Sequence, residues 1–206
     1  MKRCSPVVAV ASMLILISPV ALAQIATEGG ESKDPDFVEL LRTAKDATRK
    51  GDWARAEKIF RRAIELRPKD EESQFLLGTA LIQTGQFREA LERLEQLEKE
   101  FPDKPEVKNN LAWILIKSTD PSIRNPKRGL RYAREAVLAQ PSDLNMLGTL
   151  AEAHYQLGNH DKAVRIARIV FAGAKMRGAS NFAEYGNLLR RCLRAAGVTE
   201  DESGLD

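Results

Sequence analysis

The sequence is poor in the residues on which many enzyme active sites depend. Its 206 residues include two cysteines, Cys4 and Cys192, and two histidines, His154 and His160. It contains no His-Glu-x-x-His, no Gly-x-Ser-x-Gly and no glycine-rich phosphate loop. The histidines are six positions apart, which places them on different sides of a helix or on separate elements, so a shared zinc ion is not expected. We therefore predict a protein that is not an enzyme and uses no cofactor or metal, and we interpret both histidines as structural.

Long apolar runs are absent except at the amino terminus. There, Lys2-Arg3 precedes an apolar segment over 7–17, and the small-residue site Ala21-Leu22-Ala23 follows. This order is typical of a secretory signal peptide cleaved between Ala23 and Gln24. An uncleaved membrane anchor is the alternative, although residues 7–23 are barely long enough to span a bilayer core of about 30 Å. The pattern predicts an exported protein, periplasmic or secreted.

Neither sign of charge dominates once residues 1–23 are set aside. Lys and Arg then fall from 32 to 30 while Asp and Glu stay at 29, a net charge near +1. A nearly neutral, mixed surface gives no reason to expect nucleic acid as a partner. Cys4 is lost as well, so Cys192 has no partner for an internal disulfide. Its place in an apolar helical stripe favours a buried small hydrophobe over an exposed thiol that pairs between chains.

The sequence does contain a repeated pattern of glycine, alanine and proline, which recurs about every 34 residues and which we call the phrase. In its first copy Gly51 precedes Ala56, Ala63 and Pro68. The later copies are Gly85, Ala90, Leu97 and Pro102; an altered set, Gly129, Ala133, Ala136 and Pro141; and Gly158, Ala163, Ala167 and Val170. Four copies at this period predict a stack of helical hairpins, each unable to bury its apolar face alone.

The phrase resembles the tetratricopeptide repeat family over about residues 37–177. The residues that carry the resemblance best are Leu77-Gly78, Leu81, Gly85, Phe87, Ala90 and Pro102. The resemblance implies an all-α, right-handed superhelical solenoid of four antiparallel helix-turn-helix repeats that holds other proteins. A further apolar helical pattern predicts a C-terminal capping helix. The fourth copy departs from the family, with histidines at two places that prefer large aromatic residues and Lys175 where proline is frequent.

These patterns divide the chain into eight segments. They are the signal peptide (1–23), a flexible linker (24–36), repeats over 37–70, 71–104, 105–143 and 144–177, the capping helix (178–197) and a disordered acidic tail (198–206). Asp52 is predicted to cap the second helix, because its carboxylate can accept from amides of the first turn.

The third repeat is five residues longer than the others, and the excess falls in Ser118–Pro126. Two prolines stiffen this segment and push the preceding residues away from helical geometry. One interpretation is a longer connector that packs locally; the other is a loop that contacts a partner.

In this family, one stripe of each first helix lines the concave side of the superhelix. Carried over to this sequence, that stripe and its neighbours give a predicted partner-binding groove of ten residues. They are Lys45, Phe75, Thr79, Ile82, Asn109, Asn110, Trp113, Ile116, Glu152 and Tyr155. The alternative is that tight curvature or the capping helix buries them as core. Apolar residues such as Leu41 and Leu76 stand where the family's carboxylate clamp needs polar ones, so a mixed groove for an extended or helical segment is favoured.

The functional prediction is an exported, non-enzymatic scaffold or adaptor in an envelope assembly. By analogy with exported members of the family, its partners belong to secretion, pilus, outer-membrane or cytochrome-maturation machinery. The alternative is an accessory subunit that positions the active site of a partner enzyme. A small-molecule substrate is not expected, and membrane contact is expected only through partners or an uncleaved leader.

Overall fold

Nine α-helices account for most of residues 35–198, the part of the chain that this computed structural model describes. They are α1 (Pro35–Arg49), α2 (Trp53–Leu66), α3 (Glu71–Gln83), α4 (Phe87–Glu100), α5 (Pro105–Lys117), α6 (Pro126–Ala139), α7 (Leu144–Gln156), α8 (His160–Arg177) and α9 (Phe182–Ala195). The predicted signal peptide, nearly all of the predicted linker and the predicted tail beyond Val198 lie outside the described residues.

The helices pack in consecutive pairs, and the pairs stack. α1 packs on α2, α3 on α4, α5 on α6 and α7 on α8, while α9 packs on α8. The first helices of successive pairs also meet, since α5 contacts both α3 and α7, and α7 contacts α9. The predicted right-handed solenoid of four hairpins with a C-terminal capping helix is confirmed.

Local sequence explains where α1 and α2 begin. α1 starts at Pro35, two residues before the predicted start, because proline is tolerated in the first turn and Asp36 favours the positive end of the helix dipole. At the start of α2, the Asp52 carboxylate accepts a hydrogen bond of 3.2 Å from the Arg55 amide. The predicted cap is therefore confirmed.

In the three regular copies, the glycine ends the first helix of a hairpin. At Gly85, where φ is +80°, the Gln86 amide bonds to the Leu81 carbonyl at 2.8 Å. This is the Schellman arrangement, which requires a left-handed residue and therefore favours glycine. The same arrangement closes α9, where the Val198 amide bonds to the Leu193 carbonyl at 3.0 Å and the valine packs on the α8–α9 core. Val198, placed in the tail by the sequence, thus belongs to the folded part.

Burial divides the stack into two layers. α3, α5 and α7 are buried on nearly every side and, with α1 and α9, form the inner layer. α2, α4, α6 and α8 form the outer layer, each burying one stripe (Ala56, Phe60 and Ala63 in α2) and exposing the opposite one. Cys192 is fully buried, as predicted, and this burial raises the pKa of its thiol to about 11.

Close approach between α5 and α6 explains the glycine in the altered copy of the phrase. A Cβ atom at Gly129 would lie 2.7 Å from Cγ1 of Ile116 and 3.1 Å from the carbonyl oxygen of Ala112. Both distances are shorter than ordinary van der Waals contact, so a side chain at this position would push the helices apart.

Candidate partner-binding site

Seven of the ten side chains predicted to line a groove are buried, with exposed fractions of 7% or less. They are Phe75, Thr79, Ile82, Asn109, Asn110, Ile116 and Glu152. The expectation that these side chains are exposed is wrong, because α3, α5 and α7 contact one another directly and close the space between successive units. The alternative stated for them, that they are buried as core, agrees with these exposures.

The polar members of this stripe bond within the protein. The Asn110 side-chain amide donates to the Thr79 hydroxyl at 3.0 Å, and that hydroxyl donates to the Phe75 carbonyl at 3.1 Å. Asn110 is 2% exposed, so its side chain does not reach the peptide backbone of a partner. Asn110 therefore joins α3 to α5 instead of binding a partner.

Glu152 lies at the centre of a charge cluster formed by three helices. Its carboxylate accepts from Arg191 of α9 at 2.6 Å and from Gln156 at 2.8 Å, and it lies 3.4 Å from Lys117 of α5. Burial alone would raise the pKa of Glu152, but the Arg191 hydrogen bond and the two cationic charges outweigh it and hold the pKa below its usual value. The cluster ties the capping helix to the third and fourth units.

The three remaining predicted residues are half-buried, and each packs against or pairs with a neighbour. Lys45 forms an ion pair of 2.6 Å with Glu72. The Trp113 ring packs 5.9 Å from the Phe87 ring. The Tyr155 ring lies under the Arg191 guanidinium at 5.2 Å and meets the His160 ring edge at 6.0 Å.

The two histidines occupy packing positions. His154 is 6% exposed, and burial, with smaller effects from the charges of Lys162 and Arg134, lowers the pKa of its imidazole. Among the described residues, no three histidine, cysteine or acidic side chains come together in a way that could hold a metal ion. No helix between residues 35 and 198 has the length and apolarity needed to cross a bilayer.

The long loop of the third unit packs on both neighbouring units. Ile123 is buried inside the loop, and Arg88 of the second unit donates to the Asp120 carboxylate and the Ser122 hydroxyl, each at 2.8 Å. Arg124 donates to the Ile116 carbonyl at 2.7 Å and to the Gln156 side chain of the fourth unit at 2.8 Å. The loop therefore packs locally, and its contact with a partner stays a prediction.

The same loop also forms one wall of a surface cleft of about 540 Å³. The opposite wall is the start of α4, and the lining residues are Gly85, Gln86, Phe87, Arg88, Glu89, Glu92, Ser118, Thr119, Asp120 and Ile123. We call this the loop cleft.

The chemistry of the loop cleft is mixed. Phe87 and Ile123 contribute apolar surface, whereas Glu92 and Thr119 are exposed. Hydrogen bonds from Ser122 are the main cause of a lowered pKa at Asp120, so its carboxylate is ionised at neutral pH. Sequence reasoning found the loop but missed Arg88 and the α4 wall, because a pairing between positions 32 apart is not visible in the residue pattern.

Comparison with known proteins gives this architecture its family. Sequence models of the tetratricopeptide repeat match residues 47–114 and 123–173, which together cover more than half of the chain. The chain belongs to the tetratricopeptide repeat family. Repeats of this family support a role as a protein–protein interaction scaffold.

Individual relatives of this tetratricopeptide repeat protein are distant. Protein FlbA of Caulobacter vibrioides is 26% identical over 191 residues, which are 90% of this chain but 30% of FlbA. A thermophilic tetratricopeptide repeat protein of Thermus thermophilus is 19% identical, with a TM-score of 0.67 over 81% of this chain and 86% of that chain. MamA of Desulfovibrio magneticus is 13% identical, with a TM-score of 0.56 over 81% and 98%. At these identities the two structures show a shared fold.

Proposed function

We propose that this protein is a non-enzymatic adaptor of the bacterial envelope that holds a segment of a partner protein in the loop cleft. The observation that supports this proposal is the cleft itself, an open concavity formed where the third repeat departs from the regular period. Regular positions of the repeat build the stack, whereas an irregular loop on a rigid scaffold is a typical place for recognition.

The loop cleft suits a partner better than the inner stripe does, by which we mean the predicted groove residues on the inner helices. A partner in the inner stripe would have to reach Phe75, Ile82 and Ile116, which are 7%, 3% and 0% exposed. In the loop cleft, Thr119 and Glu92 already face solvent, and the Arg88–Asp120 ion pair joins the two walls. A wall that is ordered in advance lowers the entropy lost on association.

The envelope location is proposed from residues 1–23. Their basic start, apolar segment and small-residue site support export with cleavage after Ala23. N-terminal sequencing of the protein from fractionated cells tests this part separately. A periplasmic chain that begins at Gln24 is expected, and a cytosolic chain that keeps residues 1–23 would contradict it.

Photocrosslinking in intact cells tests the loop cleft. A photoreactive residue at Thr119 is expected to give an adduct with one partner protein, whereas the same residue at Ser142, an exposed hydroxyl position between α6 and α7, is not. Glu92→Arg, which places a larger side chain of opposite charge in the cleft, is expected to remove the Thr119 adduct. Equal adducts at both positions, or an adduct unaffected by Glu92→Arg, would place the partner elsewhere.

A further inference from the structure

Basic residues are distributed unevenly along the described chain. Residues 35–123 contain 16 Lys and Arg against 17 Asp and Glu, a net charge of −1. Residues 124–198 contain 13 Lys and Arg against 5 Asp and Glu, a net charge of +8. The near-neutral total therefore conceals a basic C-terminal part of the stack, from Arg124 through the capping helix.

Four of these thirteen cations lie on the outer layer, in two stripes with the same spacing. On α6 the exposed stripe is Lys127, Arg131, Arg134 and Leu138, and on α8 it is Arg165, Ile169, Ala172 and Met176. Each stripe follows the i, i+4, i+7, i+11 spacing of one helix side. Arg131 and Arg165 are also equivalent in the repeat, 34 residues apart, so the stripes extend over two adjacent units. We call these eight residues the α6–α8 face.

The charge of the α6–α8 face is not neutralised within the protein. Across residues 35–198, Lys127, Arg131, Arg134 and Arg165 form no ion pair. Glu135 pairs with Lys108 at 3.0 Å, whereas Asp161, four positions before Arg165, is exposed and adds one negative charge beside the α8 stripe. Basic residues still dominate, because α6 and α8 together contain nine Lys and Arg against two Asp and Glu. A surface with this excess of positive charge attracts an anionic partner.

Large apolar side chains protrude among these cations. Leu138, Ile169 and Met176 are 80%, 59% and 87% exposed. They stand on the outer layer, and none of them lines the loop cleft. Protruding apolar groups beside arginines are instead suited to the headgroup layer of a membrane, where binding strength follows apolar burial plus attraction to anionic lipids.

We propose that the α6–α8 face binds the surface of an anionic phospholipid bilayer. The arginines contact lipid phosphates, and Leu138, Ile169 and Met176 enter the boundary between headgroups and acyl chains. Such binding differs from the expectation that membrane contact occurs only through partners or a leader, and it does not depend on the loop cleft.

Vesicle flotation with the full chain tests this proposal. The readout is the ratio of binding to phosphatidylcholine vesicles with about one third phosphatidylglycerol over binding to pure phosphatidylcholine vesicles. Any contribution of residues 1–23 is the same in every variant. Arg131→Gln with Arg165→Gln is expected to weaken binding to the anionic vesicles about 25-fold, because each cation near a charged surface strengthens binding about fivefold.

The repeat supplies a matched control. Lys58→Gln with Arg62→Gln removes two exposed cations from the outer stripe of α2, where Lys58 is the repeat equivalent of Arg131, and is expected to leave flotation unchanged. Leu138→Ser with Met176→Ser is expected to weaken binding at least tenfold while its dependence on salt remains. These substitutions lie on the solvent-facing side of their helices, so circular dichroism is expected to show unchanged helicity.

Three results would overturn the proposal. One is equal binding of the wild-type chain to anionic and neutral vesicles. Another is an equal loss in the Lys58→Gln, Arg62→Gln control. The third combines two observations: the protein does not float with anionic vesicles, and it binds poly-glutamate unless Arg131→Gln and Arg165→Gln are present. This result would assign the α6–α8 face to an acidic protein segment.

Discussion

At the scale of single residues, Glu152 shows how a position expected to meet a partner can be used by the fold. Its carboxylate is 3% exposed and is shared by Lys117 of α5 and Arg191 of α9. A buried carboxylate requires such partners, because an unpaired charge in the interior is far more costly than a paired one. The position of Glu152 in the repeat is therefore no evidence that this residue binds a partner.

Glu152→Gln is expected to lower the free energy of unfolding by about 1–3 kcal/mol at pH 7, because two cations lose their shared carboxylate. The estimate lies below the usual range for buried pairs because Arg191 and Lys117 are partly exposed. Urea denaturation measures the change. Glu135→Gln, which removes a more exposed carboxylate paired with Lys108, is the control and is expected to cost less than about 1 kcal/mol.

The loss of stability in Glu152→Gln is also expected to depend on pH. The pKa of Glu152 is lowered in the folded state, so the unfolded carboxyl binds a proton more readily. The stabilisation from Glu152 is therefore complete above the ordinary value of about 4.5 and is lost as the pH falls below it. The difference between wild type and Glu152→Gln should shrink on acidification from pH 5; a difference that grows instead would contradict the assigned charge cluster.

At the scale of elements, the contact between α5 and α6 shows what the sequence could and could not predict. Helix positions, the Asp52 cap and the glycine turns follow from local chemistry, so the residue pattern located them. The burial of Phe75 and Ile116 is different in kind. It results from how closely α5 approaches α3 and α6, and a close approach such as that at Gly129 is a property of the packed stack. The residue pattern alone therefore could not predict whether the inner stripe is exposed or buried.

Gly129→Ala is expected to destabilise the protein by about 1–2 kcal/mol, although alanine is the better helix former. The added Cβ would meet Ile116 Cγ1 at 2.7 Å, and such overpacking outweighs the gain in helix propensity. Gly186→Ala in α9 is the matched control, because its added Cβ would lie 3.4 Å from the Phe171 ring. Thermal unfolding should show a lower Tm for the first variant and an unchanged or higher Tm for the second; equal shifts would refute the close-approach argument.

At the scale of the whole molecule, the hydrophobic core is divided along the stack. One cluster of buried residues runs from Ala44 in α1 to Ala153 in α7, whereas smaller clusters around Leu188 and Tyr185 join α7, α8 and α9. Each unit touches its neighbours and little else, so stability is expected to vary from one end to the other.

Leu188→Ala in α9 is expected to raise amide hydrogen exchange in α7–α9 and leave α1–α4 unchanged, because its cavity disturbs the C-terminal cluster alone. Phe60→Ala in α2 is the reciprocal variant and should raise exchange at the N-terminal end. Hydrogen exchange followed by mass spectrometry measures both. Uniform acceleration along residues 35–198 in either variant would show a single cooperative unit instead.

The spacing of the side-chain bonds between units has a consequence for how the chain acquires its structure. Asn110 bonds to Thr79 across 31 positions, and the Tyr185 hydroxyl bonds to Asn145 across 40. Partners this close in the chain cost little loop-closure entropy and favour rapid folding. A nascent chain can therefore complete each hairpin against the preceding one as soon as it emerges, without waiting for the carboxyl terminus.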